Sequence, residues 1–186
     1  HYVNQGAPAG LRPAFNFNGV NQYGSLQSSV SFSTGGSISH TVERSSSVNS
    51  ALFGGANSTR CFEQSNNNFE LATTGGTALW AGALTGIANL SMYRYKIVFG
   101  ASEVELFING ISKGSRTFNP SDVRISSILS NQFNGALHSG YAYDLDINGV
   151  LWAMDNAPNQ LQPSNPSGNT MTIVNHDPAN WSYVNE

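Results

Sequence analysis

Tyr95-Lys96-Ile97-Val98-Phe99, a short break, then Val104-Glu105-Leu106-Phe107-Ile108-Asn109-Gly110: this stretch decides the fold. Tyr95, Ile97 and Phe99 alternate with polar or less apolar neighbours, as do Val104, Leu106 and Ile108. A period of two is the signature of a strand with one buried face. Asn-Gly accepts the positive φ angles of a type I′ turn, so Asn109-Gly110 ends the second strand in a hairpin. Asn-Gly recurs at Asn18-Gly19, Asn134-Gly135 and Asn148-Gly149. Leu145 and Ile147 before Asn148-Gly149, with Val150 and Trp152 after it, repeat the pattern near the end.

The same punctuation extends outward. Phe15, Phe17, Tyr23, Leu26, Val30, Phe32, Ile38 and Val42 fall in short runs broken by Gly and Ser. Leu52-Phe53 precedes one Gly pair, and Phe62, Phe69 and Leu71 precede another at Gly75-Gly76. Ser121 to Leu129 reads as a helical turn or a strand. Asn156 to Thr170, with Pro158, Pro163 and Pro166, reads as an exposed loop, and Met171 to Val174 as a terminal strand. Closely spaced short strands fit a sandwich or barrel better than a parallel sheet with crossover helices. No repeat, linker or composition break divides residues 1–186, which read as a single domain.

Composition agrees. Charged residues are 10% of the 186-residue chain, against roughly 25% in ordinary globular proteins. Ser and Asn together supply roughly a quarter of it, and both compete with the helix backbone for hydrogen bonds. With 39% hydrophobic and 11% aromatic residues there is material for a core. The net charge of -3 and the absence of a basic run argue against nucleic acid. No apolar stretch approaches the ~20 residues that span a bilayer. A single cysteine, Cys61, excludes an internal disulfide and suits synthesis in a reducing cytoplasm; beside Arg60 it reads as buried and inert. The chain opens on His1, as a processed product or a piece of a longer chain does.

Few residues are arranged for catalysis. Glu103 and Glu105 are two apart and share one side of a strand, but Phe107 stands where a further acid would continue the row. Gly110-Ile111-Ser112-Lys113-Gly114 matches a nucleophile elbow in letters only, because that elbow needs a strand-to-helix turn. His176-Asp177 reads as a surface turn leading into Pro178. Sugar rings stack on aromatic faces while Asn, Gln and Ser bond their hydroxyls. Trp80, Tyr93, Tyr141 and Tyr143, beside Gly- or Ser-rich segments, are therefore the candidate ligand-binding residues, expected to be partly exposed. Trp152 and Trp181 read as core.

In order and spacing, these elements resemble the concanavalin A-like lectin/glucanase superfamily, in its laminin-G-like jelly-roll branch. Phe15-Asn16-Phe17-Asn18-Gly19 through Tyr23 looks like the first strand of that branch, and Phe32 through Val42 like its second. The Tyr95–Gly110 hairpin looks like its central pair, and Phe133-Asn134-Gly135-Ala136-Leu137 with Tyr143-Asp144-Leu145 like a later strand. Thr172 to Trp181 looks like the closing strand of such domains on bacteriophage proteins. The resemblance implies an all-β fold, a two-sheet antiparallel jelly-roll sandwich. It implies a non-catalytic virion surface module of a tail fibre, spike or appendage, made in the host cytoplasm and displayed on the particle. Its partners would be a bacterial surface glycan or neighbouring virion proteins, within an oligomeric assembly. A structural decoration protein without ligand and a polysaccharide-cleaving enzyme are the alternatives. Calcium is the one cofactor the resemblance suggests, with Asp144, Asp146 and Asn148 as the candidate metal ligands.

Overall fold

The computed structural model describes residues 11–45, 49–130, 136–152, 160–161 and 169–185. Two antiparallel sheets, of eight strands each, share one apolar core, and the described residues contain no α-helix. The first sheet holds β1 (Leu11–Asn18), β3 (Ser37–Glu43), β8 (Met92–Phe99), β9 (Glu103–Ile108), β10 (Ile111–Thr117), β12 (Ser139–Ile147), β13 (Val150–Trp152) and β16 (Trp181–Asn185). Its order is β10-β9-β8-β3-β12-β1-β16, with β13 on β12. The second holds β2 (Tyr23–Ser31), β4 (Ser50–Gly54), β5 (Arg60–Glu63), β6 (Phe69–Thr73), β7 (Gly76–Trp80), β11 (Arg124–Ile128), β14 (Gln160–Leu161) and β15 (Met171–Val174). Its order is β14-β15-β2-β11-β4-β5-β6-β7.

The central hairpin forms as the alternation predicts. Tyr95, Ile97 and Phe99 of β8 are fully buried, as are Val104 and Leu106 of β9, and Ile108 nearly so. Arg94 and Lys96, out of phase with them, are exposed. Asn109 (φ 50°) and Gly110 (φ 78°) form the turn into β10, and Asn148 (φ 54°) with Gly149 (φ 78°) makes the matching turn from β12 to β13.

Three readings change. Asn18-Gly19 is not a hairpin, since β1 and β2 lie in different sheets. Asn18 Oδ1 instead accepts the backbone N–H groups of Val20, Asn21 and Gln22, closing a polar bend between the sheets. Phe32 ends no strand; the chain turns at Gly35-Gly36 and the strand begins at Ser37. Trp181 begins edge strand β16 and is half-buried, with its ring edge-on to Phe15 at 5.1 Å. Ser121 to Leu129 holds both elements, a 3-10 turn at Pro120–Asp122 and then β11. Asn134-Gly135 and most of Asn156 to Thr170 lie outside the described residues, although Gln160–Leu161 pairs with β15.

Candidate functional site

The outer face of the first sheet carries the chain's polar row. Strand register places Arg94 of β8 opposite Thr41 of β3, and Thr41 opposite Tyr143 of β12. At one end of the row Asn109 is tied to Arg94 twice. The Arg94 N–H donates to Asn109 Oδ1 (2.8 Å), and the Asn109 N–H donates to the Arg94 carbonyl (2.8 Å). The hairpin turn thus sets one edge of the site. At the other end the register of β12 slips between Tyr143 and Asp146, with Asp144 at φ 51°. Such a bulge re-aims a side chain. Asp144 meets Arg12 of β1 in an ion pair (3.2 Å), and the Arg12 guanidinium lies 6.0 Å from the centre of the Tyr143 ring.

These residues line an open cleft of about 310 Å³. A second, of about 520 Å³, adjoins it, with Met92 lining both. Its walls are Tyr141, Tyr183, Leu11 and Leu90, with Glu43 opposite Met92. The Glu43 carboxylate is occupied by the Tyr141 backbone N–H (2.9 Å). Tyr183 is 43% exposed and Tyr141 half-buried, so aromatic surface remains available here. The face combines a charged and hydroxyl-bearing half with an aromatic half.

Of the residues expected from sequence, Tyr141 and Tyr143 come together on this face, two apart on β12. Tyr143 is itself buried beneath Arg12 and forms a wall of the cleft rather than an open platform. Trp80 and Tyr93 are corrections. Both are buried to 2% exposure or less, because each falls on the inward phase of its strand. Trp80 donates its indole N–H to the Gly114 carbonyl (2.7 Å), and Tyr93 donates its hydroxyl to Glu63 (2.8 Å). Tyr93 reaches the cleft only as part of its lining. Arg12, Thr41, Arg94 and Asn109 escaped sequence reading. Arg94 does occupy the polar phase of Tyr93-Arg94-Tyr95, which was a usable signal; Arg12 joins the site only through strand order.

The candidate metal ligands do not fit a calcium shell. Asp144 is paired with Arg12, Asp146 Oδ1 accepts the Gly149 N–H (3.0 Å) and Asn148 Oδ1 accepts the Ser37 N–H (3.0 Å). The three oxygen donors are thus committed to three separate protein partners, whereas calcium needs them converging. Among the described residues no group of three or more His, Cys, Asp or Glu side chains is placed to hold a metal.

Glu103 is exposed and Glu105 half-buried, accepting a hydrogen bond from Ser112 Oγ (2.6 Å). Neither lines the two clefts. His176 stacks on Phe15 with ring centres 5.4 Å apart and accepts the Trp181 indole N–H (2.9 Å); partial burial lowers its pKa. Cys61 is fully buried, and desolvation, followed by the nearby Glu70 and Glu63 charges, raises its thiol pKa well above the ordinary value.

No protein-family model matches the chain, and no curated protein sequence matches it. Solved structures do. A candidate carbohydrate-binding protein of Bacteroides ovatus superposes with a TM-score of 0.70 at 10% identity, over 96% of this chain and 61% of that one. The native heptameric SAP-like pentraxin of Limulus polyphemus gives 0.57 at 12% identity, over 89% and 95% of the two chains. Domains LG4-5 of the mouse laminin alpha1 chain give 0.54 at 11%, over 91% of this chain and 48% of that one. At such identities the likeness defines the fold: a concanavalin A-like antiparallel sandwich.

Proposed function

We propose that this chain is a non-catalytic glycan-binding module displayed on a bacteriophage virion. The observation that carries the binding half is the outer face of the first sheet, where Thr41, Arg94 and Asn109 stand beside an aromatic cleft walled by Tyr141 and Tyr183. Polar groups that fix hydroxyls next to an apolar ring surface are the ordinary make-up of a small-ligand site. The Bacteroides protein, whose name refers to carbohydrate binding, and the lectin-like character of the fold support the same reading. A role in binding rather than cleavage is supported by the two cleft carboxylates: Asp144 is held by Arg12 and Glu43 by a backbone amide. The virion setting rests on the resemblance of Thr172 to Trp181 to the closing strand of phage domains.

A glycan array on the whole chain tests the binding half. Hits are expected, and Tyr141→Ala should weaken them about tenfold, the loss of one aromatic contact worth ~1.4 kcal/mol. A folded chain that binds nothing on the array would instead favour a structural role against neighbouring virion proteins. Immunogold labelling of purified particles tests the setting; an unlabelled particle surface rejects it.

A further inference from the structure

Taking the cleft to be a glycan site, we infer that it selects an anionic glycan, with the Arg94 guanidinium reading a carboxylate or sulfate on the sugar. The other described arginines are already committed. Arg12 is neutralised by Asp144 and Arg60 by Glu70. Arg44 is buried and donates to the Leu84 and Ile87 carbonyls and to Asn67. Arg116 donates to the Leu79 and Ser115 carbonyls, and Arg124 to those of Ser121 and Val123. Arg94 stands apart. It is exposed, its guanidinium donates once, to Ser39 Oγ (2.9 Å), and no carboxylate among the described residues pairs with it.

That single bond matters. It pins one arm of a planar fork on an exposed side chain, while the remaining guanidinium donors make no hydrogen bond to a described residue; such a fork can accept a two-oxygen anion bidentately. A second cation stands on the same strand. Lys96 is exposed two residues along the same strand face, opposite Ser39, so cations flank that serine on β8. The acids nearby are occupied: Asp144 by Arg12, Glu43 by the Tyr141 amide, and Asp146, across Ser39 on β12, by the Gly149 amide. Of the two arginines that line the cleft, Arg12 is paired with Asp144, which leaves Arg94 as the cation there without a carboxylate partner among the described residues. Thr41, opposite Arg94, and Asn109, at the turn, place hydroxyl and amide groups beside the anion for the rest of the ring.

Three probes test this by calorimetry on the whole chain: an oligogalacturonate, its carboxyl-reduced neutral form and a sulfated galactan oligosaccharide. An anionic probe should bind about tenfold tighter than the neutral one, the strength of a charge-assisted pair. Arg94→Gln should abolish that preference, and Arg94→Lys should keep part of it, restoring the charge without the fork. Lys113→Gln, outside the cleft, should leave it intact. Which anionic probe wins separates carboxylate from sulfate. Equal binding of the neutral probe, or a preference that survives Arg94→Gln, overturns the inference while leaving the glycan site standing. If the folded chain binds neither these probes nor anything on the glycan array, the underlying reading falls as well.

Discussion

A tryptophan on an outer strand can be a ligand platform or a structural rivet, and which one it is depends on the phase of its strand. In β7 the apolar side chains Leu79 and Trp80 are adjacent, so sequence alternation leaves the phase open. In the fold Leu79 is 42% exposed and Trp80 is buried, edge-on to Phe69 at 6.2 Å. Its N–H reaches Gly114 of β10, so one side chain ties an edge strand of the second sheet to an edge strand of the first. Trp80→Ala should therefore cost about 3–5 kcal/mol of stability, as truncations of buried large aromatics do. Urea denaturation measures it. A loss under 1 kcal/mol would mean that Trp80 is not the buried tie described. Tyr93 departs from its sequence expectation for a related reason. It belongs to the same inward row as Tyr95 and Ile97, but a tyrosine two residues from Ser91 looks available when its acceptor, Glu63, is thirty residues away. Single-residue exposure was the least legible feature, because it depends on partners that only the folded chain brings near.

At the level of elements the sequence was more informative, though identical dipeptides gave different outcomes. Asn109-Gly110 and Asn148-Gly149 join antiparallel neighbours in one sheet, and both residues of each pair take positive φ. Asn18-Gly19 joins strands of different sheets, and its asparagine side chain gathers backbone amides instead. The dipeptide reports a bend; the pairing of the flanks decides whether that bend is a hairpin. Strand order was not legible, since Arg12 meets Asp144 only because β1 lies beside β12. Two glycines separate backbone angle from space as requirements. At Gly110 an added Cβ would meet no atom within 4 Å, so Gly110→Ala is resisted only by its positive φ and should cost about 1 kcal/mol. At Gly55 the Cβ would sit 2.0 Å from the Arg124 carbonyl oxygen, so β11 must shift, and Gly55→Ala should cost about 2–3 kcal/mol. Thermal unfolding ranks the two, and the opposite order would contradict the close approach of Gly55 to β11.

For the molecule as a whole, the notable cost lies between the sheets, where ionisable groups are buried together. Glu63 of β5 accepts the Ser45 N–H (2.7 Å) and the Tyr93 hydroxyl, and burial raises its pKa to about 7. His138 lies 3.6 Å from the same carboxylate and shares a 2.7 Å hydrogen bond with Ser50 Oγ; burial lowers its pKa to about 4. His40 is fully buried, and desolvation, followed by repulsion from His138 and Arg94, lowers it to about 3. Burial pushes Glu63 and His138 both toward their neutral forms, so their contact is not an ion pair at neutral pH. The signs then follow from linkage. Each histidine, depressed below its ordinary 6.5, contributes stability that is complete above pH 6.5 and is lost as pH falls toward 4 and 3. Glu63, raised above 4.5, contributes stability that is complete below pH 4.5 and is lost as pH rises to about 7. Between pH 4.5 and 6.5 two histidines act against one glutamate. In that window stability should fall on acidification by about 1.4 kcal/mol per pH unit, one net proton. Glu63→Gln keeps one oxygen for the Ser45 N–H and turns its NH2 toward the Tyr93 hydroxyl, which can accept from it; it removes the opposing titration, so its acid slope should be about twice as steep. Urea-unfolding free energies of the two proteins, measured every half pH unit from 4.5 to 7, give the difference directly. It should widen steadily with pH in favour of the variant. A difference that stays constant across the window would mean that Glu63 is already ionised in the fold, and that the sheets close over a charge rather than over a neutral acid.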